Sequence, residues 1–237
     1  MNPGIRILHL VDGAKDATGL TVVIDVCRAF STAAFLASRG TREIFTVGTV
    51  DEAFQLRERL PDCLIVGEVK GRKPEGFDLG NSPSEVLASR YIGQSAVQRT
   101  SAGTQGIINA KSADEVLTGA FVNAGAIVRY IRSAVPETIS LVCMGWEALR
   151  ECEEDTLCAE FLRGRLTGNA LDFSEVAERI RRSETGERFR NPAYPWLPEE
   201  DLDLCLSLDL FDFVLRCDPN MATPRLQRVD VPFRNET

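Results

Sequence analysis

The chain has 237 residues and a mass of 26.1 kDa, and 44% of its residues are hydrophobic, enough for one large domain with a sizeable core. A formal net charge of -8 and a pI near 4.9 argue against non-specific nucleic-acid binding, which needs a basic surface. No stretch approaches the ~18 apolar residues of a membrane span, and the residues before the first strand lead us to expect no secretory or transit segment; seven cysteines, odd in number and without a CxxC pair, fit reduced thiols in a cytoplasmic protein.

Along the chain, apolar β-branched runs at 5–11, 21–26, 44–47, 64–66, 96–99, 115–118 and 138–142 predict strands. Their near-continuous hydrophobicity suits strands buried on both faces of a central sheet. Helices are predicted between them at 31–38, 50–59, 83–89, 103–110, 123–134 and 153–166. Thr49, Ser82 and Asn123 are the N-caps, and Pro83 fits a first turn. This alternation predicts a three-layer α/β/α fold around a central mixed, largely parallel sheet, with residues 1–237 as a single domain. Past residue 166 the pattern loosens. A charged helix at 174–183 is followed by a polar stretch at 184–198 with three prolines, then by acidic–apolar alternation at 199–212. A last strand is expected near 213–216, and the tail after Asp218 is expected to be peripheral or disordered.

In open α/β sheets, ligands bind beyond the carboxyl ends of the strands. Asp25 ends one such run, with Arg28 close behind. A carboxylate there serves as metal ligand or base, or caps the next helix, and Arg28 offers a bidentate clamp for a phosphoryl or sulfonate group. Cys27 stands where an Asp-x-Asp nucleophile motif needs its second carboxylate, and no loop of Cys, five residues and Arg is present. Covalent catalysis through Asp25 is therefore the lesser reading and through Cys27 a weaker one still, Cys27 reading as a small buried side chain. The sole histidine, His9, lies in an apolar run and reads as a strand residue, and no cysteines have zinc-ligand spacing.

The stretch 67–83, GEVKGRKPEGFDLGNSP, holds four glycines, three cations, three carboxylates and an Asn-Ser pair. Glycine backbone lets such a loop approach an anion, while its carboxylates offer oxygen ligands to a hard cation. Two of only four lysines, Lys70 and Lys73, lie here, compact ammonium donors in a chain that otherwise uses arginine. Glu68 and then Asp78 are metal-ligand candidates. Lys70 and Lys73 are placed to neutralise substrate charge, Asn81 and Ser82 to orient the substrate, and the helix opening at Pro83 to aim its free amides at an anion. The plain alternative is a solvated loop whose acids pair with its lysines.

Further on, Thr100, Ser101 and Thr104 surround Gly103 ahead of a helix and form a candidate phosphate cradle, although not a Walker A loop. Asn123 at a helix start is a helix cap or a substrate contact, and Cys143 lies at a strand end. Glu154 shares a helix face with Cys158; Glu154 and Asp155 are metal-ligand candidates or ordinary first-turn acids.

Four segments, taken in order, resemble the 2-phosphosulfolactate phosphatase family: Asp25-Val26-Cys27-Arg28-Ala29, the loop at 67–83, Thr100-Ser101-Ala102-Gly103-Thr104-Gln105-Gly106, and Glu154-Asp155-Thr156-Leu157-Cys158-Ala159. The likeness spans nearly the whole chain, and the glycine-rich loop is its specific part. It implies a Mg²⁺-dependent phosphatase that converts (R)-2-phospho-3-sulfolactate to 3-sulfolactate and phosphate. In that family the step belongs to coenzyme M biosynthesis or to sulfolactate metabolism. The chain departs from the pattern at Ala102, where the family string carries asparagine, and at Glu160, where it carries glycine.

The reading that results is hydrolysis by a metal-activated water, with Glu68 or Asp25 as ligand or base and Arg28 and Lys70 stabilising the transferring group. The partner is a small anionic phosphate ester, with no nucleic acid and no membrane, and a homodimer is plausible for such an enzyme. Against this stands a diverged anion-binding protein of the same fold with little or no turnover. A transferase ranks below both, because no nucleotide-binding motif is present.

Overall fold

The computed structural model of the protein describes residues 3–91 and 93–231. The chain opens with β1 (Gly4–His9), α1 (Leu10–Lys15), β2 (Gly19–Ile24), α2 (Ser31–Ser38), β3 (Ile44–Thr46), α3 (Val50–Arg59) and β4 (Leu64–Gly67). It continues through α4 (Pro83–Ala88), β5 (Ala96–Arg99), α5 (Gly103–Asn109), β6 (Ala113–Gly119), α6 (Ala124–Ala134), β7 (Thr138–Cys143) and α7 (Glu153–Thr167). It closes with α8 (Phe173–Arg182), α9 (Glu184–Arg190), α10 (Glu199–Cys205), β8 (Phe213–Cys217) and β9 (Arg225–Asp230).

The nine strands form one mixed sheet in the order β1-β7-β2-β6-β8-β9-β3-β5-β4. The first four in that order run parallel, as do β3, β5 and β4. Between the two blocks lie β8 and β9, each antiparallel to both neighbours. Three successive antiparallel steps turn the second block opposite to the first, so in a flat sheet their carboxyl ends would lie at opposite edges. Yet Gly103, just past β5, donates to Asp25, just past β2, and Gln98 of β5 donates to the Ala29 carbonyl. The sheet is therefore coiled, and the coiling brings both sets of carboxyl ends together.

Helices cover both faces, which makes the three-layer α/β/α fold that the alternation predicts. In β2, Val23 joins Ile44, Leu64 and Ala96 of the second block in a core built around α2. Val22 and Ile24 point the other way, onto Ile127 of α6 and Phe161 of α7. All three β2 side chains are fully buried, each contributing about 1.5–3 kcal/mol from water exclusion. Helix starts follow their chemistry. Thr49 and Glu52 form a reciprocal capping box at α3, and Ser82 caps α4 with Pro83 in its first turn.

Three expectations are corrected. The first strand stops at His9, not residue 11, because Leu10 turns with positive φ (61°) and the small Gly13 lets α1 fold back against Leu8. Asn123 precedes α6 but makes no side-chain cap bond; its amide donates to the Phe213 carbonyl instead. The tail after Asp218 is not peripheral, since β9 bridges the two parallel blocks. Its sequence hides this because Leu226 alone among its side chains is buried; backbone pairing with β8 and β3 holds it. Among the described residues no helix is long and apolar enough to cross a membrane, and all seven cysteines are free thiols.

Candidate active site

One cleft opens where the two sets of strand ends meet, and Asp25, Glu68 and Ser101 form its floor. Asp25 ends the β2 turn. Its Oδ1 accepts from Ala29 N at 3.1 Å and its Oδ2 from Gly103 N at 2.7 Å, tying the β2 turn to the start of α5. Glycine is required at 103, because a Cβ there would lie 2.9 Å from Asp25 Oδ2. Glu68 makes the same kind of tie from β4. It accepts from Ser101 N at 2.5 Å, Ser101 Oγ at 3.0 Å and Gly71 N at 2.6 Å. Burial pushes Asp25 up to about 7, and the charges of Glu68 and Glu154 push the same way against the two amide bonds.

The glycine-rich loop leaves β4 at Gly67, where a Cβ would lie 1.8 Å from the Arg99 carbonyl oxygen. Val69 and Arg72 exchange backbone hydrogen bonds of 2.9 and 3.1 Å around Lys70 and Gly71, both at positive φ (52° and 81°). That is the pattern of a two-residue type I′ turn. Lys70 sits at the tip of this turn, exposed, lining the cleft, with no ion pair among the described residues. The loop then doubles back along β4, so Asp78 lies level with Ile65 and accepts from its amide at 2.8 Å. Three strand residues separate that level from Glu68, about 10 Å. Asp78 pairs there with Arg57 and is not part of the cleft, contrary to its place among the metal-ligand candidates.

Other candidates are also repositioned. Lys73 pairs with Glu85 at 2.9 Å and, with Ser82, faces a neighbouring groove. The free amides expected at α4 are taken: Ser82 Oγ accepts from Glu85 N, and Asp201 Oδ1 from Ser84 N. Asn81 lies between groove and cleft, its Oδ1 buried without a partner among the described residues. Arg28 lines the cleft but is 4% exposed, and it donates to Asp201 Oδ2 (2.7 Å), Trp196 O (3.0 Å) and Gly71 O (3.3 Å). Asp201 matches its charge, so Arg28 fastens three segments together and is not an open clamp.

The hydroxyl stretch is not an open cradle either. Thr100 and Thr104 are buried and bond to each other, while Ser101 and the Gly103 amide hold Glu68 and Asp25. Ala102 does line the cleft. Asn123 and Cys143 are buried outside it, and Cys143 donates to the Asp155 carbonyl. Asp155 lies behind the floor and accepts from Val26 N and Gly145 N, both at 2.8 Å; burial, then the charges of Asp25 and Glu154, push it up. Glu154 is raised by burial and accepts from Thr185 Oγ1 at 2.9 Å. Cys27 is half-buried, and its hydrogen bond with Cys205, then burial, push the thiol well up, which agrees with a non-nucleophilic role.

One wall comes from residues that sequence motifs did not mark. Gly145, Trp146 and Glu147 follow β7, while Thr185, Arg188 and Phe189 lie on α9 and Leu197 just beyond it. Their one sequence signal is an aromatic and basic cluster within the polar, proline-bearing stretch at 184–198. No group of three or more His, Cys, Asp or Glu among the described residues is arranged to hold a metal by itself. Two carboxylates plus water and substrate oxygens are nevertheless a normal magnesium site, and an ionised carboxylate has about four lone-pair positions, of which Asp25 uses two and Glu68 three. Two buried acids at one cleft, neither in an ion pair among the described residues, form a donor set that fits such an ion.

The family model for 2-phosphosulpholactate phosphatase matches residues 7–220. A probable 2-phosphosulfolactate phosphatase of Bacillus subtilis is 32% identical over 89% of this chain and 92% of its own length. Those named likewise from Thermotoga petrophila and Gloeobacter violaceus are 36% and 37% identical over 81% and 73% of this chain, and 86% and 74% of their own lengths. With residues 7–220 of the chain matched by the family model and parts of three of the four family segments lining one cleft, this chain belongs to the 2-phosphosulpholactate phosphatase family, a family of phosphoric monoester hydrolases.

Proposed function

We propose that this protein is a magnesium-dependent phosphatase that hydrolyses 2-phospho-3-sulfolactate, or a closely similar small anionic phosphate monoester, to 3-sulfolactate and phosphate. The names of its relatives support the substrate. The observation that carries the chemistry is the pair of buried carboxylates, Asp25 and Glu68, facing one cleft beside a free Lys70. Asp25 and Glu68 would hold the ion, which when bound supplies Lewis acidity toward a phosphoryl oxygen and a more acidic water.

The chain's own residues do the rest. Lys70, held at the turn tip by its backbone bond to Ser101 Oγ (3.1 Å), brings an ammonium to the phosphoryl group. Ser101 and the Gly103 amide fix the carboxylates before substrate arrives, so little reorganisation accompanies the reaction. Arg28, bound to Asp201, keeps the glycine-rich loop and α10 in register. Seven free thiols favour a reducing compartment, so the cytoplasm is the proposed location, with coenzyme M biosynthesis or sulfolactate metabolism as the setting.

A second reading, an anion-binding protein with little turnover, draws on Ala102, an apolar side chain in the cleft. Phosphate release from 2-phospho-3-sulfolactate, measured with magnesium and with a chelator, separates the two. Metal-dependent release supports the phosphatase; saturable binding without release supports the binder.

A further inference from the structure

The cleft holds three cations, Arg28, Lys70 and Arg188, and they differ in what they already bind. Arg28 is neutralised by buried Asp201. Lys70 sits beside Glu68, at the carboxylate floor. Arg188 is on another wall, and no carboxylate pairs with it among the described residues; Glu147, exposed at the same cleft, makes no ion pair with it.

Two aromatic faces hold the guanidinium of Arg188 instead. It lies 4.2 Å from the centre of the Trp146 ring and 5.1 Å from that of Tyr194. The Trp146 ring is itself fixed, because its Nε1 donates to Thr185 Oγ1 at 3.2 Å and Glu154 Oε1 at 3.4 Å, and Arg150 lies over it at 4.3 Å. Ring contacts of this kind hold a guanidinium through its π-face and leave its N–H groups unused. Among the described residues Arg188 Nε is buried without a partner, while the side chain as a whole is half-buried and lines the cleft. A fixed planar cation with open donors is suited to an anion that offers two or three oxygens.

We infer that Arg188 is the specificity-determining residue of this cleft and receives the substrate's sulfonate. The inference rests on the proposed function and deepens it. In 2-phospho-3-sulfolactate the phosphoryl and carboxylate groups share one carbon, and the sulfonate is one carbon further away. The phosphoryl group goes to the Asp25–Glu68–Lys70 floor, and the sulfonate reaches the α9 wall. An unsulfonated analogue leaves Arg188 without its anion.

The test compares wild type, Arg188→Gln and Arg188→Lys, with magnesium present, by calorimetric titration with 3-sulfolactate and with lactate, and by kcat/KM for 2-phospho-3-sulfolactate and 2-phospholactate. Wild type is expected to prefer the sulfonated member of each pair. Arg188→Gln is expected to lower that preference about 10- to 100-fold, mostly through KM, and Arg188→Lys to restore only part of it, since ammonium lacks the planar fork. A melting curve of each variant confirms folding. An unchanged preference in Arg188→Gln, or an equal loss for both ligands, overturns the inference, as does a wild type indifferent to the sulfonate. If the preference collapses as expected while no variant and no wild type releases phosphate, the sulfonate assignment stands and the phosphatase reading falls.

Discussion

The floor and the α9 wall of the cleft are built by different physics. On the floor, Asp25 and Glu68 are each fixed by amides from a neighbouring loop, so the charges that would do chemistry also tie β2, β4 and β5 together. On the wall, stacked rings and guanidinium groups of Trp146, Arg150, Arg188 and Tyr194 hold position with few directional bonds. The floor should therefore tolerate no isosteric change, whereas the wall should change selectivity before it changes turnover.

Conservative changes on the floor should have the largest effect. Glu68→Gln or Asp25→Asn should lower magnesium-dependent kcat by about 10²–10³-fold. Each puts an NH₂ group where an amide N–H now donates. Steady-state phosphate release measures this, and wild-type turnover in both variants would remove the floor from the mechanism.

Next in size is the buried anchor behind the floor. Asp201→Ala leaves the Arg28 guanidinium buried and unpaired and should destabilise the protein by about 3–5 kcal/mol, read from denaturant unfolding. A loss within ~0.5 kcal/mol would show that the pair does not hold the floor to α10.

A pH series without metal tests the crowding of acids. Asp25 titrates at about 7 when folded, against an ordinary 3.8. Between those values the folded protein keeps a proton that the unfolded chain releases, so this contribution to stability is complete below about 3.8 and lost as pH rises through about 7. Melting midpoints of the metal-free protein should fall from pH 5 to pH 8 more steeply for wild type than for Asp25→Asn, and magnesium should recover more at pH 8 than at pH 5. Parallel curves would rule out burial of an uncompensated Asp25.

The smallest contrast separates the two lysines. Lys70→Ala should reduce kcat/KM about tenfold or more. Lys73→Ala, which breaks only the partly exposed pair with Glu85, should change stability by no more than about 0.5 kcal/mol and leave turnover near wild type. Equal effects in the two variants would undo the distinction between tip and groove.

Much of the floor was legible in residue order. Asp25 at a strand end, Glu68 and Lys70 in a glycine-rich turn, and Ser101 ahead of a helix are local patterns, and the fold brings them to one cleft. Proximity in sequence to Glu68 does not bring Asp78 and Lys73 into the cleft, because the loop doubles back along its own strand. Thr100 and Thr104 satisfy each other's backbone, a use of hydroxyls that the same letters equally permit. Arg188 and Trp146 carry no such signal, because neither lies in a motif and their meeting depends on how α9 packs against the turn after β7.

Periodicity and capping chemistry by themselves determined that this chain makes alternating strands and helices, since burial on two faces and N-cap bonding are local demands. Where the strand ends point was decided by tertiary structure alone. The β8–β9 pair reverses the second parallel block and the coiled sheet brings its ends back to the first, through long-range backbone pairing that little in the side-chain pattern of β9 announces. Which charges stay open was decided the same way, because a cation is free only when the folded chain places no carboxylate beside it.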